Sequence, residues 1–477
     1  MESVWSKTCS ISKRESLKRD IQTEIAVIGA GMAGILTAYY LQKAGKKVVV
    51  LEAARIASGQ TRNTTAKITS LHGMIYRELT DSLGEERARL YGQANEEAVA
   101  EYKRLIEEQK ISCDFEEQDA YIYSESRKDM EQEALAAENL GLPAQLITDL
   151  KLPVPFQAAV RFSHQAQFHP LKFIKEISES LTIYENSMAK EVEDHVVKTD
   201  EGSVRADQII FACHFPFINF PGMYFAKMHQ ERSYVIALEQ AGHINGMAIG
   251  QGEHPYSFRN YKQLLFVGGE NHRTGENTEG GRYHALKMRA KEWFPESREA
   301  ACWSAQDCMT GDHVPYIGQY AAGKPDWYVA TGFGKWGMTH SMVSALLLRD
   351  LILGKENPYA EVFDPGRFSM ENIPEMAGEG GQAVKGLVRR IFQIPDETVK
   401  ELEADHGGIV ELDGEKAGVY KDKEGNVYAV DIRCPHMGCQ LEWNPDEKSW
   451  DCPCHGSRFD YQGNLISNPA QEGIAHE

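Results

Sequence analysis

The sequence predicts an α/β body followed by a small all-β domain, and two regions carry this prediction. Within residues 23–52, a strand pattern, a glycine-rich turn, a helix pattern and a second strand pattern follow one another, as in a parallel βαβ unit. After residue 395, short strand patterns alternate with turns such as LDGEK and KDKEGN. The chain has 477 residues, 42% of them hydrophobic, which is enough for at least two cores.

The βαβ unit contains a glycine turn of the kind that binds a dinucleotide. TEIAVIG is the first strand, AGILTAYYLQKAG the helix and KKVVVLE the second strand. Gly29 allows the tight turn, Gly31 lets the backbone approach a pyrophosphate, and Gly34 lets helix and strand pack closely. Glu52, at the end of the second strand, can hold ribose hydroxyls. The pattern predicts a dinucleotide without choosing between FAD and NAD, and a glycine turn with no ligand is the alternative.

Nine cysteines divide into a scattered group and a cluster. Scattered single cysteines in a cytosolic chain usually pack as small apolar side chains. The scattered ones are Cys9, Cys113, Cys213, Cys302 and Cys308. The clustered segments CPHMGC and CPCH lie within residues 434–455 and supply four cysteines and two histidines.

The clustered residues offer six soft ligands, where a metal usually takes four. Structural zinc is one alternative, but it favours paired ligands two to four residues apart on one knuckle. Each segment can instead supply one Cys and one His as ligands, which suits a two-iron cluster and leaves one further Cys in each segment. In that arrangement Cys434 and Cys452 bind one iron, and His436 and His455 bind the other.

The net charge of −19 makes nucleic acid an unsuitable partner, because a polyanion binds a basic face. Residues 396–477 alone contain 7 Lys and Arg against 18 Asp and Glu. This acidic surface is either simply solvated or a docking face for a basic electron-transfer partner. We find no apolar run of eighteen residues and no secretory h-region in the first twenty, so we expect a cytoplasmic protein with no transmembrane segment.

Residues of about 20–365 resemble the D-amino-acid-oxidase-like flavoenzymes, which include the glycine, sarcosine and glycerol-3-phosphate oxidases. The segments EAARIASGQTRNTTAKIT, AKEVED, GDHVPYIG and ATGFGKWGMTHS occur in the family's order. The resemblance implies a Rossmann-type domain that binds FAD and an α+β cap over the flavin. The further FAD-binding residues that it implies are Asn63, Thr64, Thr65, Ala66, Lys67, Val192, Gly332, Phe333, Gly334, Gly337, Met338 and Thr339.

The C-terminal segment from about 396 to 470 resembles Rieske proteins, with DCPCHGSRFD and NPA as matching motifs. The resemblance implies a [2Fe-2S] cluster on the four ligands named above. Cys439 and Cys454 match the extra pair that forms a disulfide in the respiratory-complex type, and two free thiols are the alternative. Phe459 stands where high-potential members carry a tyrosine that donates to a ligand sulfur, so we expect a lower potential.

The predicted domain limits follow from these resemblances and from a Gly-, Pro- and Glu-rich stretch after Pro365. The FAD-dependent part covers 1–370, with FAD-binding segments at about 20–75, 150–215 and 300–365 and cap segments at about 75–150 and 215–300. A linker covers 371–395, and the Rieske domain covers 396–477.

The catalytic residues and the substrate are not readable from the sequence. Flavin oxidation of an amine or hydroxy acid needs a well-aimed C–H bond rather than a fixed motif. Polar cap candidates are Arg259, His272, Arg273 and Lys335, each more typical of a structural role. Cys308 lies near the position where some relatives attach FAD covalently, but at a different offset, so we expect a buried free thiol.

Together these features predict a dehydrogenase for a small amine, amino acid or hydroxy acid. The flavin would accept two electrons, and the cluster would pass them singly to an external acceptor. If the acidic surface is a docking face, that acceptor is a basic redox protein. A reductase working in reverse would need a second nucleotide fingerprint, which the sequence lacks. A non-enzymatic redox sensor or electron-transfer protein is the alternative from another class. No 2-His-1-carboxylate pattern points to an oxygenase.

Overall fold

The structure is a computed structural model, and it describes residues 1–252, 255–367, 402–412 and 415–475. The predicted linker 371–395 lies outside the described residues, as do residues 413–414 of the LDGEK turn. The described strands form two large sheets that carry helices and two small antiparallel sheets near the C-terminus. The predicted α/β body followed by a small all-β domain is therefore confirmed.

The first sheet has the predicted βαβ unit at its centre. Strand Ile21–Ile28 pairs in parallel with Val48–Leu51 on one side and with Ser203–Phe211 on the other. Helix Met32–Lys43 connects the first two strands, and Gly45 follows its end with φ at +86°. From edge to edge the sheet runs Tyr316–Gln319, Trp327–Thr331, Ser203–Phe211, Ile21–Ile28, Val48–Leu51 and Thr182–Tyr184, with Glu191–Glu193 and Val196–Lys198 attached to Ser203–Phe211.

The second sheet has nine strands, is mostly antiparallel and joins segments far apart in the chain. It runs Arg298–Thr310, Met228–Glu239, Leu264–Arg273, Ser257–Tyr261, Met247–Gly250, Glu116–Ser124, Ala158–Gln167 and Lys67–Ile68, with Ala144–Ile147 paired to Ala158–Gln167. Strand 158–167 belongs to this sheet although it lies wholly beyond the cap limit expected at 150, and strand 298–310 crosses the limit expected at 300. The expected limits therefore remain predictions, because the second sheet combines strands from the expected cap segments with strands from the expected FAD-binding segments.

The helices cover the two large sheets. Helix Gly337–Ile352 packs against Met32–Lys43. The charged stretch 78–110 forms two helices that meet at Gly84, whose φ of +84° breaks the first of them. The described α-helices are Val4–Thr8, Met32–Lys43, Ile75–Leu83, Glu85–Gln109, Arg127–Asn139, Pro170–Ile177, Arg282–Trp293, Gly337–Ile352 and Ala360–Phe363, and the 3-10 turns are Gln60–Asn63 and Tyr224–Ala226.

The C-terminal region is built from two antiparallel sheets around an aromatic core. The centroids of the Tyr420 and Trp443 rings lie 5.2 Å apart, and those of Trp443 and Trp450 lie 5.0 Å apart. Phe459 is fully buried beside them. One sheet contains His406–Leu412, Glu415–Lys421 and Val427–Asp431, and the other contains Glu442–Asn444, Ser449–Asp451, Arg458–Asp460 and Leu465–Ser467.

Candidate functional site

The glycine turn has the geometry that the sequence predicts. Gly29 has φ at +108°, and a Cβ there would lie 2.5 Å from the carbonyl oxygen of Ala212. A Cβ at Gly34 would collide with the carbonyl oxygen of Gly29. Gly31 caps the helix and lines a cavity instead of packing against Gly29. The two glycines are therefore required by close backbone approach, and the third faces the space that a ligand can fill.

Glu52 is held at the edge of the same turn. Its carboxylate accepts hydrogen bonds from the N–H groups of Ala30 at 2.8 Å and Ala54 at 2.9 Å. Burial raises the pKa of Glu52, and these two hydrogen bonds oppose the rise. Its side chain also lines the cavity, so it can accept hydrogen bonds from a ribose as predicted.

A cavity of about 450 Å³ lies above the turn. The predicted FAD-binding residues in its wall are Gly29, Gly31, Glu52, Thr64, Gly332, Phe333, Gly334, Gly337 and Met338. Val192 is buried outside it, and Met188 and Ala189 line the wall nearby. Thr339 exchanges hydrogen bonds with the backbone of Thr69 and does not line the cavity. Sequence motifs thus locate the cavity, while packing decides which of their side chains face it.

A second cavity of about 260 Å³ adjoins the first. Asn63, Thr65 and Lys67, expected to bind FAD, line this cavity. Both cavities share the wall residues Thr64, Ala305, Asp307, Lys335 and Met338. The arrangement provides two adjoining chambers of different size, as an enzyme needs for a cofactor and a substrate.

Buried side chains hold the loop between the two cavities through its backbone. The carbonyl oxygen of residue 63 accepts from the Trp303 indole at 2.8 Å, and that of residue 64 accepts from Trp5 at 2.7 Å. Arg259 donates to the carbonyl oxygens of residues 65 and 66. Arg259, a cap candidate, therefore supports the loop from behind and does not line either cavity. Ala66 is fully buried in this loop.

Lys67 places an amine in the second cavity without a carboxylate partner among the described residues. Its Nζ donates to the Thr65 hydroxyl at 3.1 Å. Burial, with a smaller effect from the nearby Arg259 cation, lowers the pKa of Lys67 to about 7. A bound anion would restore the charged amine, so the second cavity is suited to a ligand with a negative group.

Two residues in the wall that the cavities share, Lys335 and Asp307, are ionisable, and the sequence motifs did not predict a role for Asp307. Lys335 lines both cavities and pairs with Glu231 at 3.0 Å. Asp307 shares the strand pattern REAACWSAQDCMT with one other acid, Glu299, and burial raises the pKa of Asp307 to about 7. No local signal identifies it, because its position depends on how the second sheet meets the first. The other cap candidates, His272 and Arg273, line neither cavity.

Cys308 lies in the wall of the first cavity and is almost fully buried. Its thiol donates to the carbonyl oxygen of His214 at 3.5 Å. Burial raises the pKa of this thiol well above its ordinary value, so it stays protonated at neutral pH.

The two cysteine and histidine segments form loops of the same shape. The Gly438 N–H donates to the Cys434 carbonyl at 2.8 Å, and the Gly456 N–H donates to the Cys452 carbonyl at 3.0 Å. Both glycines have φ near +78°. Each sequence, CPHMG and CPCHG, thus turns at the same position and presents its side chains toward the other loop.

The donor set between the loops fits a two-iron cluster with two thiolates and two imidazoles. The thiols of Cys434 and Cys452 are in hydrogen-bond contact, and this contact, with smaller help from backbone N–H groups and Ser457, lowers the pKa of Cys434. The rings of His436 and His455 lie 4.9 Å apart at 88°. The buried Nδ1 of His436 has no hydrogen-bond partner among the described residues, as expected of a ligand atom.

Cys439 and Cys454 form a disulfide that joins the two loops, as the resemblance implied. Their sulfur atoms also lie within 4.8 Å of that of Cys452. This trio is not a metal site, because sulfurs bonded to each other are not thiolate ligands. With Cys439 and Cys454 in the disulfide, Cys434, His436, Cys452 and His455 remain as the donors that could hold iron.

The cluster loops are packed directly on the flavin part of the chain. Gln230 donates to the carbonyl oxygen of His455 at 2.6 Å, and its side-chain oxygen contacts His214 at 3.1 Å. His214 lines the first cavity, so three residues connect the cavity wall to the cluster loop. Gln306 donates to the carbonyl oxygen of Gly456 at 2.7 Å.

The other cluster histidine is covered from the same side. The side-chain oxygen of Asn219 lies 2.7 Å from Nε2 of His436. Asn468 donates to the carbonyl oxygens of Cys213 at 2.8 Å and Phe215 at 2.6 Å. Strand Leu465–Ser467, Asn468 and Gln471 also line the first cavity. The C-terminal domain thus completes the chamber of the first one.

A buried ion cluster also joins the two parts of the chain. Glu447 pairs with Arg232 at 2.5 Å and also contacts Arg458, and Arg458 pairs with Asp451 at 2.9 Å. Asp446 accepts hydrogen bonds from the side chain of Asn277 and from backbone N–H groups of residues 281 and 282. Arg232, on a strand of the second sheet, and the segment 277–282 therefore both contact the turn that contains Asp446 and Glu447, which fixes the position of the C-terminal sheet on the second sheet.

A fold with a dinucleotide turn, a two-chamber cavity and a Cys2His2 loop pair defines a flavin-dependent oxidoreductase with an iron-sulfur domain. The chain belongs to the FAD dependent oxidoreductase family, whose model matches residues 24–351. A Rieske [2Fe-2S] domain matches residues 393–476. The protein is an enzyme that binds FAD in the first part and a [2Fe-2S] cluster in the second.

Known proteins resemble the whole chain and each of its parts. YhfW of Bacillus subtilis (strain 168), named as a Rieske 2Fe-2S iron-sulfur protein, is 35% identical over 98% of this chain and 96% of its own. The cytochrome b6-f complex iron-sulfur subunit of Synechococcus elongatus is 29% identical over 26% of this chain and 66% of its own. L-proline dehydrogenase from P. horikoshii shares the fold, with a TM-score of 0.62 and 19% identity over 73% of this chain and 98% of its own.

Within the residues that the structure describes, no helix combines the length and apolar character needed to cross a bilayer.

Proposed function

We propose that the protein is a dehydrogenase that oxidises a small amine, amino acid or hydroxy acid and passes the electrons singly through its Rieske cluster to an external acceptor. When bound, FAD accepts two electrons as a hydride, and the cluster carries one electron at a time.

The observation that carries this proposal is the contact between the cluster loops and the flavin chamber. Strand Leu465–Ser467 lines the chamber, and Gln230 connects His214 in its wall to the backbone of His455. A Rieske domain that received electrons only from an external donor would not need to form part of the wall of the flavin chamber. This arrangement supports electron transfer within one chain.

The cofactor assignments are part of the proposal. The predicted residues that line the first cavity hold FAD, with Glu52 toward its ribose and the glycine turn toward its pyrophosphate. Cys434, His436, Cys452 and His455 hold the cluster. Gly34, Ala66, Val192 and Thr339 support this site from outside the wall.

The second cavity favours an acid among the possible substrates. Lys67 presents an amine there with no carboxylate partner among the described residues. An amino acid or a hydroxy acid would supply the missing negative charge beside the polar wall residues Asn63 and Asn271. L-proline dehydrogenase, which shares the fold, acts on an amino acid by its name.

The external acceptor stays open to experiment. The acidic C-terminal domain is suited to a basic redox protein, and its charge supports that choice over nucleic acid. We propose a cytoplasmic location, with the disulfide shielded beneath the cluster loops, where Cys439 and Cys454 are both buried.

An anaerobic substrate screen tests the proposed function. The purified holoenzyme is mixed with glycine, L-proline, the other L-amino acids, N-methyl amines and 2-hydroxy acids, and flavin absorbance is followed. At least one compound should bleach the flavin and then produce the electron paramagnetic resonance signal of the reduced cluster. The Cys452→Ser variant, which lacks a cluster ligand, should keep the bleaching and lose the signal. If no compound in the panel bleaches the flavin, the dehydrogenase assignment is wrong.

A further inference from the structure

We propose that Asp307 is the catalytic base that takes the proton from the amine or hydroxyl group of the substrate. The inference rests on the proposed function, because it assigns a residue to that oxidation. Asp307 lies on strand Arg298–Thr310 and lines both cavities where they share a wall. A molecule that spans the two cavities is therefore bordered by this side chain, together with those of Thr64, Ala305, Lys335 and Met338.

The carboxyl of Asp307 is available to a ligand. No described residue forms a hydrogen bond or an ion pair with it. Glu231 lies directly opposite on the neighbouring strand and is occupied by Lys335 at 3.0 Å and by His229 at 3.5 Å. Glu52 is similarly engaged by backbone N–H groups. Unlike Glu231 and Glu52, Asp307 can therefore accept hydrogen bonds from a ligand at the wall that the two cavities share.

Burial and the charges around Asp307 hold its pKa near neutral pH, where its carboxylate and carboxylic-acid forms coexist. Burial raises its pKa to about 7, with Glu231 acting in the same direction, while Lys335 and Arg232 oppose the rise. Lys67 faces the second cavity from the loop side. A base works best when its pKa lies near the operating pH, so that it is ionised before the reaction and retains the proton afterwards.

The proposed step balances in atoms and electrons. The N–H or O–H proton of the substrate passes to the Asp307 carboxylate, and the adjacent C–H bond breaks with its electron pair leaving as hydride to FAD. A C=N or C=O double bond forms. The substrate loses two electrons, the cofactor gains them, and Asp307 becomes a neutral acid.

Lys67 is the competing base, since its pKa is also near 7. It lines only the second cavity and donates to Thr65, whereas Asp307 lines both. We therefore assign the anion-binding role to Lys67 and the proton-accepting role to Asp307. The experiments below distinguish these two roles by comparing variants of Asp307 and of Lys67.

Infrared difference spectroscopy of the oxidised holoenzyme tests the assignment without turnover. As the pH rises from 6 to 8, the wild type should lose a carboxylic-acid C=O band, and the band should return as the pH is lowered again. The midpoint of this change is expected at about pH 7. Asp307→Asn should lack this band, and Lys67→Met should keep it. Glu299→Gln, on the same strand but outside both cavities, is the matched control and should behave like the wild type. A band that persists in Asp307→Asn overturns the proposal.

The rate of anaerobic flavin bleaching tests it with substrate, using the panel compound that bleaches the wild type fastest. Asp307→Asn should slow bleaching by about 100-fold to 10,000-fold at unchanged flavin content, and Glu299→Gln should not slow it. If no compound bleaches the wild type, the proposed function fails and the infrared result still decides the pKa of Asp307. If wild type and Asp307→Asn bleach at equal rates, the base assignment alone fails.

Discussion

Single residues around the cluster loops set the electrostatic environment of the cluster. The Ser457 hydroxyl contributes to the lowered pKa of the Cys434 thiol, so it can donate a hydrogen bond to that sulfur. Phe459 is fully buried on the neighbouring strand and has no hydroxyl to offer. Donors to sulfur stabilise the reduced, more negative cluster, and this chain has one donor fewer than the high-potential members that it resembles.

Adding the missing hydroxyl should raise the cluster potential. One net hydrogen bond stabilises by roughly 0.5–1.5 kcal/mol, which for one electron corresponds to roughly 20–60 mV. A redox titration followed by electron paramagnetic resonance should show Phe459→Tyr higher than the wild type by this amount and Ser457→Ala lower. An unchanged Phe459→Tyr potential, or a wild-type potential in the respiratory range, would contradict this account.

Cys308 should not bind the flavin covalently. Its thiol is almost fully buried, and burial raises its pKa, so little of the nucleophilic thiolate forms at neutral pH. Acid precipitation of the holoenzyme should therefore release all of the yellow flavin into the supernatant, and Cys308→Ala should retain its flavin before precipitation. A yellow pellet would show that a covalent bond exists.

At the scale of elements, the glycine turn depends on a contact between a helix and the end of a strand. Gly34 lies in the first turn of helix Met32–Lys43 and packs on the carbonyl of Gly29, with no room for a side chain. The helix N-terminus can face a pyrophosphate only in this position. The binding of FAD is thus tied to one interatomic contact.

Gly34→Ala should lose FAD because the added methyl group pushes the helix away from the turn. The expected loss of FAD affinity is about 100-fold or more, since displacement of the backbone removes several hydrogen bonds together. The ratio of flavin to protein after dialysis measures it. Gly45→Ala is the matched control: it lies just beyond the other end of the same helix with no atom within 4 Å. The methyl group strains its φ of +86° but does not push the helix away from the turn, so this variant should stay loaded.

At the scale of the whole molecule, the buried ion cluster holds the cluster domain on the flavin domain. Burial would raise the pKa of Glu447, but Arg232 and Arg458 outweigh it and hold this pKa well below its usual range. Because the pKa of Glu447 is lower in the folded protein than in the unfolded chain, where it is about 4.3, the carboxylate stabilises the folded protein fully at pH values above 4.3. This stabilisation is lost as the pH falls further below that value. Docking should therefore be constant from pH 7 to 5 and weaken below about pH 4.

Glu447→Gln should separate flavin reduction from cluster reduction. It leaves two buried arginines without their shared carboxylate, which costs roughly 3–5 kcal/mol in unfolding free energy. Stopped-flow absorbance should show flavin bleaching at the wild-type rate and slower cluster reduction. Glu424→Gln, an exposed acid in a turn of the same domain, should change neither. Equal cluster reduction in both variants would mean that this contact does not position the cluster.

The sequence by itself determined the local motifs. Gly29 and Gly34 lie five residues apart, and each cluster loop closes within five residues, so their geometry depends on neighbours in the chain. The cofactors and the order of the two domains follow from such motifs. The first sheet, built around one βαβ unit, follows for the same reason.

Only the tertiary structure decided which side chains share a chamber. Asp307 and Lys67 line one cavity although 240 positions separate them in the chain, and strand Leu465–Ser467 closes a chamber that begins at Gly29. Val192 matches a family motif and yet lies outside the wall. Contacts of this kind depend on how whole sheets pack, and no short segment contains the energy that fixes that packing.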